Sequence, residues 1–366
     1  MSDEDSSRFL DFYRGSGVAR GEDFPIRSLE VSETLIAAQT RPEGYRLGGS
    51  PRGQAIITAV NVALALRTPL LVSGEPGSGK TQLGYAIAWE LGRPEPLKFT
   101  TKSTSVARDI LYEYDAVRHF RASQTGAVVD VRDYINYAPL GLAILLGSPL
   151  ATRRHFLSPA VFEESHDADL LPVQAELHRL LRAEAPRQAV VIIDEIDKAP
   201  RDFPNDLLDE LNTLGFRIPE LQGLQTPQLE VGLRPIVLVT TNGERALPDA
   251  FLRRCAYIHM TYPTGEELDD ILMSRLGGVF DEGSIFRRDV RILFERIREA
   301  DEMQKPPGIA ELIQFLQATA ALGADPNRSL ADQRMIALDA APLLAKSQGD
   351  QAILIDAIAS VPPARR

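Results

Sequence analysis

Gly74-Glu75-Pro76-Gly77-Ser78-Gly79-Lys80-Thr81 decides the reading of this chain. It fits the phosphate-cradling pattern G-x-x-x-x-G-K-[ST] at every fixed position. The run before it, Pro69-Leu70-Leu71-Val72-Ser73, has the length and apolar character of a short buried strand. Gln82 to Leu91 reads as a helix. Strand, glycine-rich turn and helix in that order let backbone N–H groups converge on an anion, and the helix N-terminus adds its positive dipole end. In such a loop Lys80 can reach the β- and γ-phosphates of a nucleotide and Thr81 can ligate Mg²⁺. Only six lysines occur in the chain, so a chance Gly/Lys coincidence in a turn is the weaker explanation.

A second stretch matches the first in kind. Val190-Val191-Ile192-Ile193-Asp194-Glu195 is an apolar run closed by two carboxylates. A continuous apolar run fits a central parallel strand buried on both faces, and ligands of open α/β sheets sit at the C-terminal ends of such strands. Asp194 is then the candidate for holding Mg²⁺ and its water. Glu195 is the candidate for orienting and polarising an attacking water. An isolated Asp-Glu pair fits a solvated helix start equally well; the phosphate loop tips the balance.

With these two stretches on the page, the chain resembles the AAA+ ATPases, and among them the MoxR-like branch. The resemblance rests on Gly74–Thr81, Asp194-Glu195-Ile196-Asp197-Lys198-Ala199-Pro200, Thr240-Thr241-Asn242 and Leu247-Pro248-Asp249-Ala250-Phe251-Leu252-Arg253-Arg254, in that order, and spans roughly Gly48 to Ser347. It implies an α/β P-loop NTPase of AAA+ type: a five-stranded, mostly parallel sheet of strand order 5-1-4-3-2 between helices, with a C-terminal all-helical lid. It implies ATP and Mg²⁺ as cofactors, with Gly74, Glu75, Pro76, Gly77, Ser78, Gly79, Lys80 and Thr81 around the phosphates and Thr81 and Asp194 on the metal. Glu195 and Asn242 would be catalytic. One arginine would act as a finger on a neighbouring subunit's nucleotide, Arg254 by alignment with the family's Leu-x-Arg pattern and Arg253 as second choice. Asn242 before Gly243 also fits an Asx-turn, and either arginine also fits a surface salt bridge. The family carries an arginine near the start of its third lid helix. Here Lys305-Pro306-Pro307-Gly308-Ile309-Ala310-Glu311 holds none, so either Lys305 takes that part or the contact is missing.

The implied assembly is a homo-oligomeric ring, a hexamer in the family, that remodels or matures a protein client. Family members often work with a partner bearing a von Willebrand factor A domain, which here would be a separate chain. Two alternatives stand beside this: a DNA- or RNA-acting motor or loader on the same fold, and a switch that binds ATP without hydrolysing it. A net charge of −11 weighs against nucleic acid, although a local basic pore loop stays open. The carboxylate pair weighs against the switch.

Composition sets the outer bounds. A chain of 366 residues can bury a large core and splits naturally into two domains. No run approaches the roughly 20 apolar residues of a membrane span. The acidic start, Met1-Ser2-Asp3-Glu4-Asp5, lacks a signal-like pattern, and the expected setting is cytoplasmic. The single cysteine, Cys255, leaves no internal disulfide and reads as core packing at a strand start. Of the 40 basic residues 34 are arginine, which we take as compositional habit, not a binding signal.

The expected organisation is an N-terminal extension at 1–42 with a helix near 29–38, an α/β nucleotide-binding domain at 43–262, a helical lid at 263–360 and a mobile tail at 361–366. Gly48–Gly53 reads as a turn and Gln54–Leu66 as a helix. Further strands are expected at Leu97–Thr100, Ile236–Thr240 and Tyr257–Thr261. Alternating apolar residues predict one hairpin from Tyr112 to Phe120 and Val128 to Tyr134, turning at Ser123–Gly126, and a second from Phe216–Pro219 to Leu229–Leu233. In MoxR-like proteins the first would face the ring pore; otherwise it is a surface hairpin. Leu207, Leu208, Leu211 and Leu214 share one helical face, with Asp206, Asp209 and Glu210 on a solvated side. Helices are expected near Gly265–Leu276, Arg288–Met303, Ile309–Leu322, Ala331–Lys346 and Gln351–Ser360.

Overall fold

The computed structural model describes Tyr45, Leu47 and residues 50–124, 129–163, 170–276, 279–281, 283–300 and 302–362. The expected helix at 29–38, the rest of the extension at 1–42, the first hairpin's residues 125–128 and tail residues 363–366 lie outside them. Two compact units emerge, one covering Leu47–Tyr262 and a helical one from Pro263 onward.

The first unit begins with α1 (Pro51–Leu66), β1 (Leu70–Gly74), α2 (Lys80–Glu90) and β2 (Leu97–Thr100). An insertion follows: β3 (Tyr112–Tyr114), α3 (Ala116–Ser123), β4 (Ile135–Tyr137), α4 (Pro139–Gly147), α5 (Leu150–Phe156) and α6 (Pro172–Arg182). Then come β5 (Val190–Asp194), α7 (Phe203–Thr213), β6 (Arg217–Ile218), β7 (Leu224–Gln225), β8 (Ile236–Thr241), α8 (Asp249–Leu252) and β9 (Ala256–Met260).

The main sheet runs β2-β5-β8-β1-β9, and every neighbour pair is parallel. Counting only these five strands in chain order, that is 5-1-4-3-2, the order the AAA+ resemblance implies. The fold is thus the α/β P-loop type with a C-terminal helical unit. Strands β1 and β5 are buried along their whole length, as the apolar runs Leu70–Val72 and Val190–Ile193 lead one to expect. On one face Leu71, Val191, Ile193, Val237 and Val239 pack with Leu140 and Ile144 of α4 and Leu207 and Leu208 of α7. On the other, α2 lies close enough that a Cβ at Gly84 would come within 2.5 Å of Ile192 Cδ1. Cys255 packs against the core, and burial pushes its thiol pKa up to about 12, as a packing residue's should be.

Several local expectations need correction. Pro51, Arg52 and Gly53 are already helical, because Ser50 Oγ accepts from Gly53 N (3.0 Å) and Pro51 occupies the first turn. The first hairpin is a short ladder with Tyr112 opposite Tyr137 and Tyr114 opposite Ile135. The run through Phe120 is a helix instead of a strand. Asp115 caps it by accepting from Arg118 N (2.8 Å), and Val117 and Phe120 are three apart, a helical spacing misread as alternation. In the second hairpin the return strand is Leu224–Gln225, not Leu229–Leu233. Gln222 and Gly223 both take positive φ (56° and 76°) and turn the chain sooner; Leu229 goes into the core and Val231–Leu233 forms a single 3₁₀ turn.

Arg153 on α5 is fully buried, and among the described residues it has no carboxylate partner. It donates to Ser148 O (3.0 Å), Leu180 O (3.3 Å), Leu181 O (2.6 Å) and Glu184 O (3.3 Å), so it closes the C-terminal end of α6. A cation there meets the negative end of the helix dipole and satisfies orphan carbonyls. Arg153→Met is expected to destabilise the protein by about 2–4 kcal/mol, because several buried carbonyls lose their donors. Urea unfolding at unchanged m-value would measure it.

The helical unit contains α9 (Gly265–Arg275), α10 (Ile285–Glu299), α11 (Ile309–Ala321), α12 (Arg334–Ala340) and α13 (Gln348–Ala359). Phe286, Phe294, Leu312, Phe315 and Leu354 form its interior. Helix α10 starts earlier than expected because Ser284 Oγ caps Arg287 N (3.2 Å). The single helix expected over Ala331–Lys346 is three short pieces, since Pro342 cannot continue α12 and sits in a 3₁₀ turn. Lys305 is exposed, just before α11.

Candidate functional site

Because the five strands are parallel, their C-terminal ends lie along one edge, and the segments after β1, β5 and β8 meet there. The loop after β1 opens with Gly74, whose φ is +152°, and a Cβ at this position would lie 2.4 Å from Met260 O on β9. Only glycine fits. Tyr262 OH donates to Pro76 O and ties the loop to the end of β9. Gly79 is the N-cap of α2 and provides no side-chain cap, so the first N–H groups of the helix are left for a ligand or water. The Ser78 hydroxyl is buried with no hydrogen-bond partner among the described residues.

Lys80 is buried, and its Nζ donates to Gly74 O (2.7 Å) and Glu75 O (2.8 Å). Burial lowers its pKa, opposed by the charges of Asp194, Asp197, Glu195 and Glu75. Asp194 Oδ1 accepts from Thr81 Oγ1 (2.9 Å) and Thr240 Oγ1 (2.6 Å), while Oδ2 pairs with Lys98 Nζ at 2.6 Å. Burial by itself would push the Asp194 carboxyl up; the bonds from Lys98, Thr240 and Thr81 outweigh it and hold the group below the usual carboxylate range.

Glu195 sits in the left-handed region, at φ 59°. A non-glycine residue there costs on the order of 1–2 kcal/mol, so its surroundings must hold it. They do so at both ends. Glu195 N donates to Thr240 Oγ1 (2.9 Å), and Thr101 Oγ1 donates to Glu195 O. The carboxylate lies between Lys198 Nζ, 2.7 Å from Oε2, and Asn242 Nδ2, 3.4 Å from Oε1. The Asx-turn alternative for Asn242 is not what the structure contains: Glu244 N, the donor such a turn needs, goes to Asp197 Oδ2 (3.0 Å), and the Asn242 Nδ2 faces Glu195.

Asp197 is the residue whose part sequence reasoning missed. It is 3% exposed, and its Oδ2 accepts from Asn242 N (3.1 Å) and Glu244 N (3.0 Å). One carboxylate thus clamps the segment after β8 onto the turn after β5 and sets where the Asn242 amide points. The Asp-Glu-Ile-Asp-Lys spacing carried a signal, since the second acid stands three residues past Asp194 on a tight turn. Lys98 was missed as well. Thr100 lies opposite Asp194 in the β2–β5 register, and Lys98, two residues earlier, shares that face. No local pattern reveals this.

Arg253 and Arg254 are not in this cluster. They follow α8 and precede β9, at the edge where β9 begins: Ala256 N donates to Pro69 O (2.9 Å), just ahead of β1. The length of β1, roughly 13 Å, separates that edge from the glycine loop. Both arginines are exposed, and among the described residues neither side chain has a hydrogen-bond or ion-pair partner.

The residues fit a nucleotide with Mg²⁺. An uncapped helix end, a buried ammonium that among the described residues bonds to loop carbonyls, and a serine hydroxyl with no partner there suit phosphate oxygens. Thr81 Oγ1 and Asp194 Oδ1 are adjacent hard oxygens. No cluster of three or more His, Cys, Asp or Glu able to hold a metal occurs among the described residues, and Mg²⁺ ordinarily takes one or two protein oxygens with phosphates and water completing its shell.

No family profile and no curated protein matches the chain. Among solved structures it is similar to NtrX from Brucella abortus in complex with ADP, at 11% identity and a TM-score of 0.44, covering 81% of this chain and 57% of that one. A likeness that faint carries no weight for the chemistry, which rests on the residues above. No helix among the described residues is long and apolar enough to cross a membrane.

Proposed function

We propose that this chain is a Mg²⁺-dependent ATPase of the AAA+ class, MoxR-like in type, working as a homo-oligomeric ring. The observation that supports this most is the hydrogen-bonded cluster linking Thr81, Asp194, Glu195, Thr240 and Asn242 beside the buried Lys80. Bound nucleotide and Mg²⁺ supply the phosphoanhydride and a Lewis acid that neutralises its charge. The chain's own residues do the rest. Lys80 and the open N-terminus of α2 bind phosphate. Thr81 and Asp194 hold the metal. Asn242 fixes one oxygen of Glu195, and the other accepts a proton from water once Lys198, 44% exposed and free to swing outward, releases it. The position of Arg254 at the opposite sheet edge supports a finger that serves the next subunit.

The hexamer, the protein client and a separate partner with a von Willebrand factor A domain rest on the motif resemblance. So does a lid role for the helical unit, with domain limits of 43–262 and 263–360. Steady-state ATPase measurement with and without DNA tests the class: basal turnover indifferent to DNA supports the proposal, stimulation by DNA favours a nucleic-acid motor, and tight binding without turnover favours a switch.

Two variants probe the site. Lys80→Ala is expected to abolish binding of a fluorescent ATP analogue, because it removes the loop's one side-chain cation; unchanged affinity would unseat Gly74–Thr81 as the phosphate site. Asp197→Ala frees the segment after β8, so turnover should fall about 10- to 100-fold with ATP affinity nearly unchanged. A fall in affinity as large as the fall in turnover would mean that Asp197 supports the phosphate loop instead of Asn242.

A further inference from the structure

At the edge of the sheet opposite the glycine loop lies a cavity of about 630 Å³. The ends of α1, α2 and α7 and the first residues of β1 and β8 enclose it. Leu64, Ile87, Leu91 and Leu211 supply apolar wall. Arg67, Arg93, Arg234 and Arg254 line it too, and among the described residues no Asp or Glu does. In a chain whose net charge is −11, four arginines without one acid are a marked local reversal.

Their bonding sharpens the point. Arg67 donates to Val231 O. Among the described residues the side chains of Arg93, Arg234 and Arg254 have no hydrogen-bond or ion-pair partner. Like charges gathered around one space repel each other, and a guanidinium offers a planar fork of donors shaped for carboxylate, phosphate or sulfonate oxygens. The Thr68 hydroxyl, also lining the cavity, is buried and has no hydrogen-bond partner among the described residues. A buried hydroxyl without a partner is costly, and an oxygen-bearing ligand would relieve it. The volume falls in the range of sites for small organic molecules.

We propose that this cavity binds a small organic anion: an apolar or aromatic body, seated on the leucine and isoleucine wall, that carries an anionic group for the arginines and Thr68. The site is separate from the glycine loop and binds without reference to ATP. One consequence rests on the shared-site reading above. Arg254 is among the four, so a seated anion would hold the arginine assigned to the neighbour's nucleotide and would slow turnover.

The test uses the full chain and two fluorescent probes of matched aromatic body, anilinonaphthalene sulfonate and the neutral N-phenylnaphthylamine. The sulfonate should bind saturably, one per chain, in the presence of saturating ATP and Mg²⁺. The neutral probe should bind at least roughly tenfold more weakly, and Arg93→Gln and Arg234→Gln should each weaken sulfonate binding by a similar factor. Absence of saturable binding, equal affinity for both probes, or displacement by ATP would each overturn the proposal. The two-probe comparison needs no variant, so it holds even if a substitution disturbs folding. Arg93→Gln and Arg234→Gln proteins that fold and bind the sulfonate as tightly as the parent would also overturn it. ATPase activity measured alongside separates the two layers: binding without inhibition keeps the site and discards its coupling to turnover through Arg254, whereas loss of binding discards the site alone.

Discussion

Glu195→Gln protein should bind ATP as the parent does and hydrolyse it roughly 10²–10⁴-fold more slowly. The amide keeps the shape and can still meet Asn242, but it cannot take a proton from water. Lys198, now 2.7 Å from Oε2, would lose its ion pair; both partners of that pair are substantially solvent-accessible, so little stability goes with it. Two measurements check this: equilibrium binding of ATP and single-turnover hydrolysis in the same buffer. Normal hydrolysis by this variant would mean that another group positions the water. The stalled protein is also the best bait for the client, because a ring that keeps ATP should keep its substrate.

Arg254→Ala should leave ATP binding by each subunit nearly intact and cut turnover by roughly 10³-fold or more, as loss of an arginine finger does elsewhere. The sheet itself motivates this, since Arg254 lies at the edge where β9 starts, about the length of β1 from its own Lys80. Mixing Arg254→Ala with Lys80→Ala subunits is decisive. Each lacks a different half of a site shared between neighbours, so mixed rings contain interfaces with both halves intact and should regain activity. If no mixture regains turnover although the two proteins assemble together, while Arg253→Ala mixed with Lys80→Ala does, the finger is Arg253. If neither pair recovers, the site is not shared between subunits.

Much of the fold was legible because its signals are local. The strand at Val190–Asp194 announces itself by four apolar β-branched residues, and the glycine loop by residues adjacent in the chain. All five sheet strands were found within a residue or two of where they lie. The misreadings fell where two periods compete over a few residues. Val117 and Phe120 satisfied a loose alternation, yet Asp115 before them is a helix cap, and the cap won. At Gln222-Gly223 a turn with two positive φ values shortened a hairpin that apolar residues alone would have lengthened.

By itself, then, the sequence determined the phosphate loop, the carboxylate pair, the order of motifs and an α/β class with helices after Pro263. Each depends on residues within a few positions of one another, where backbone geometry fixes neighbours. Tertiary structure alone decided what those residues touch. Thr81 meets Asp194 across 113 positions, and Asp197 holds Asn242 and Glu244 across 45 and 47. Lys98 reaches Asp194 only because β2 pairs with β5 in one register, and the arginine cavity exists only because three helix ends and two strand starts converge at one edge. The physical reason is common to all of them. Pairing register and helix docking are set by packing summed over the whole core, and a one-residue slip would turn every strand side chain to the opposite face without altering any local motif.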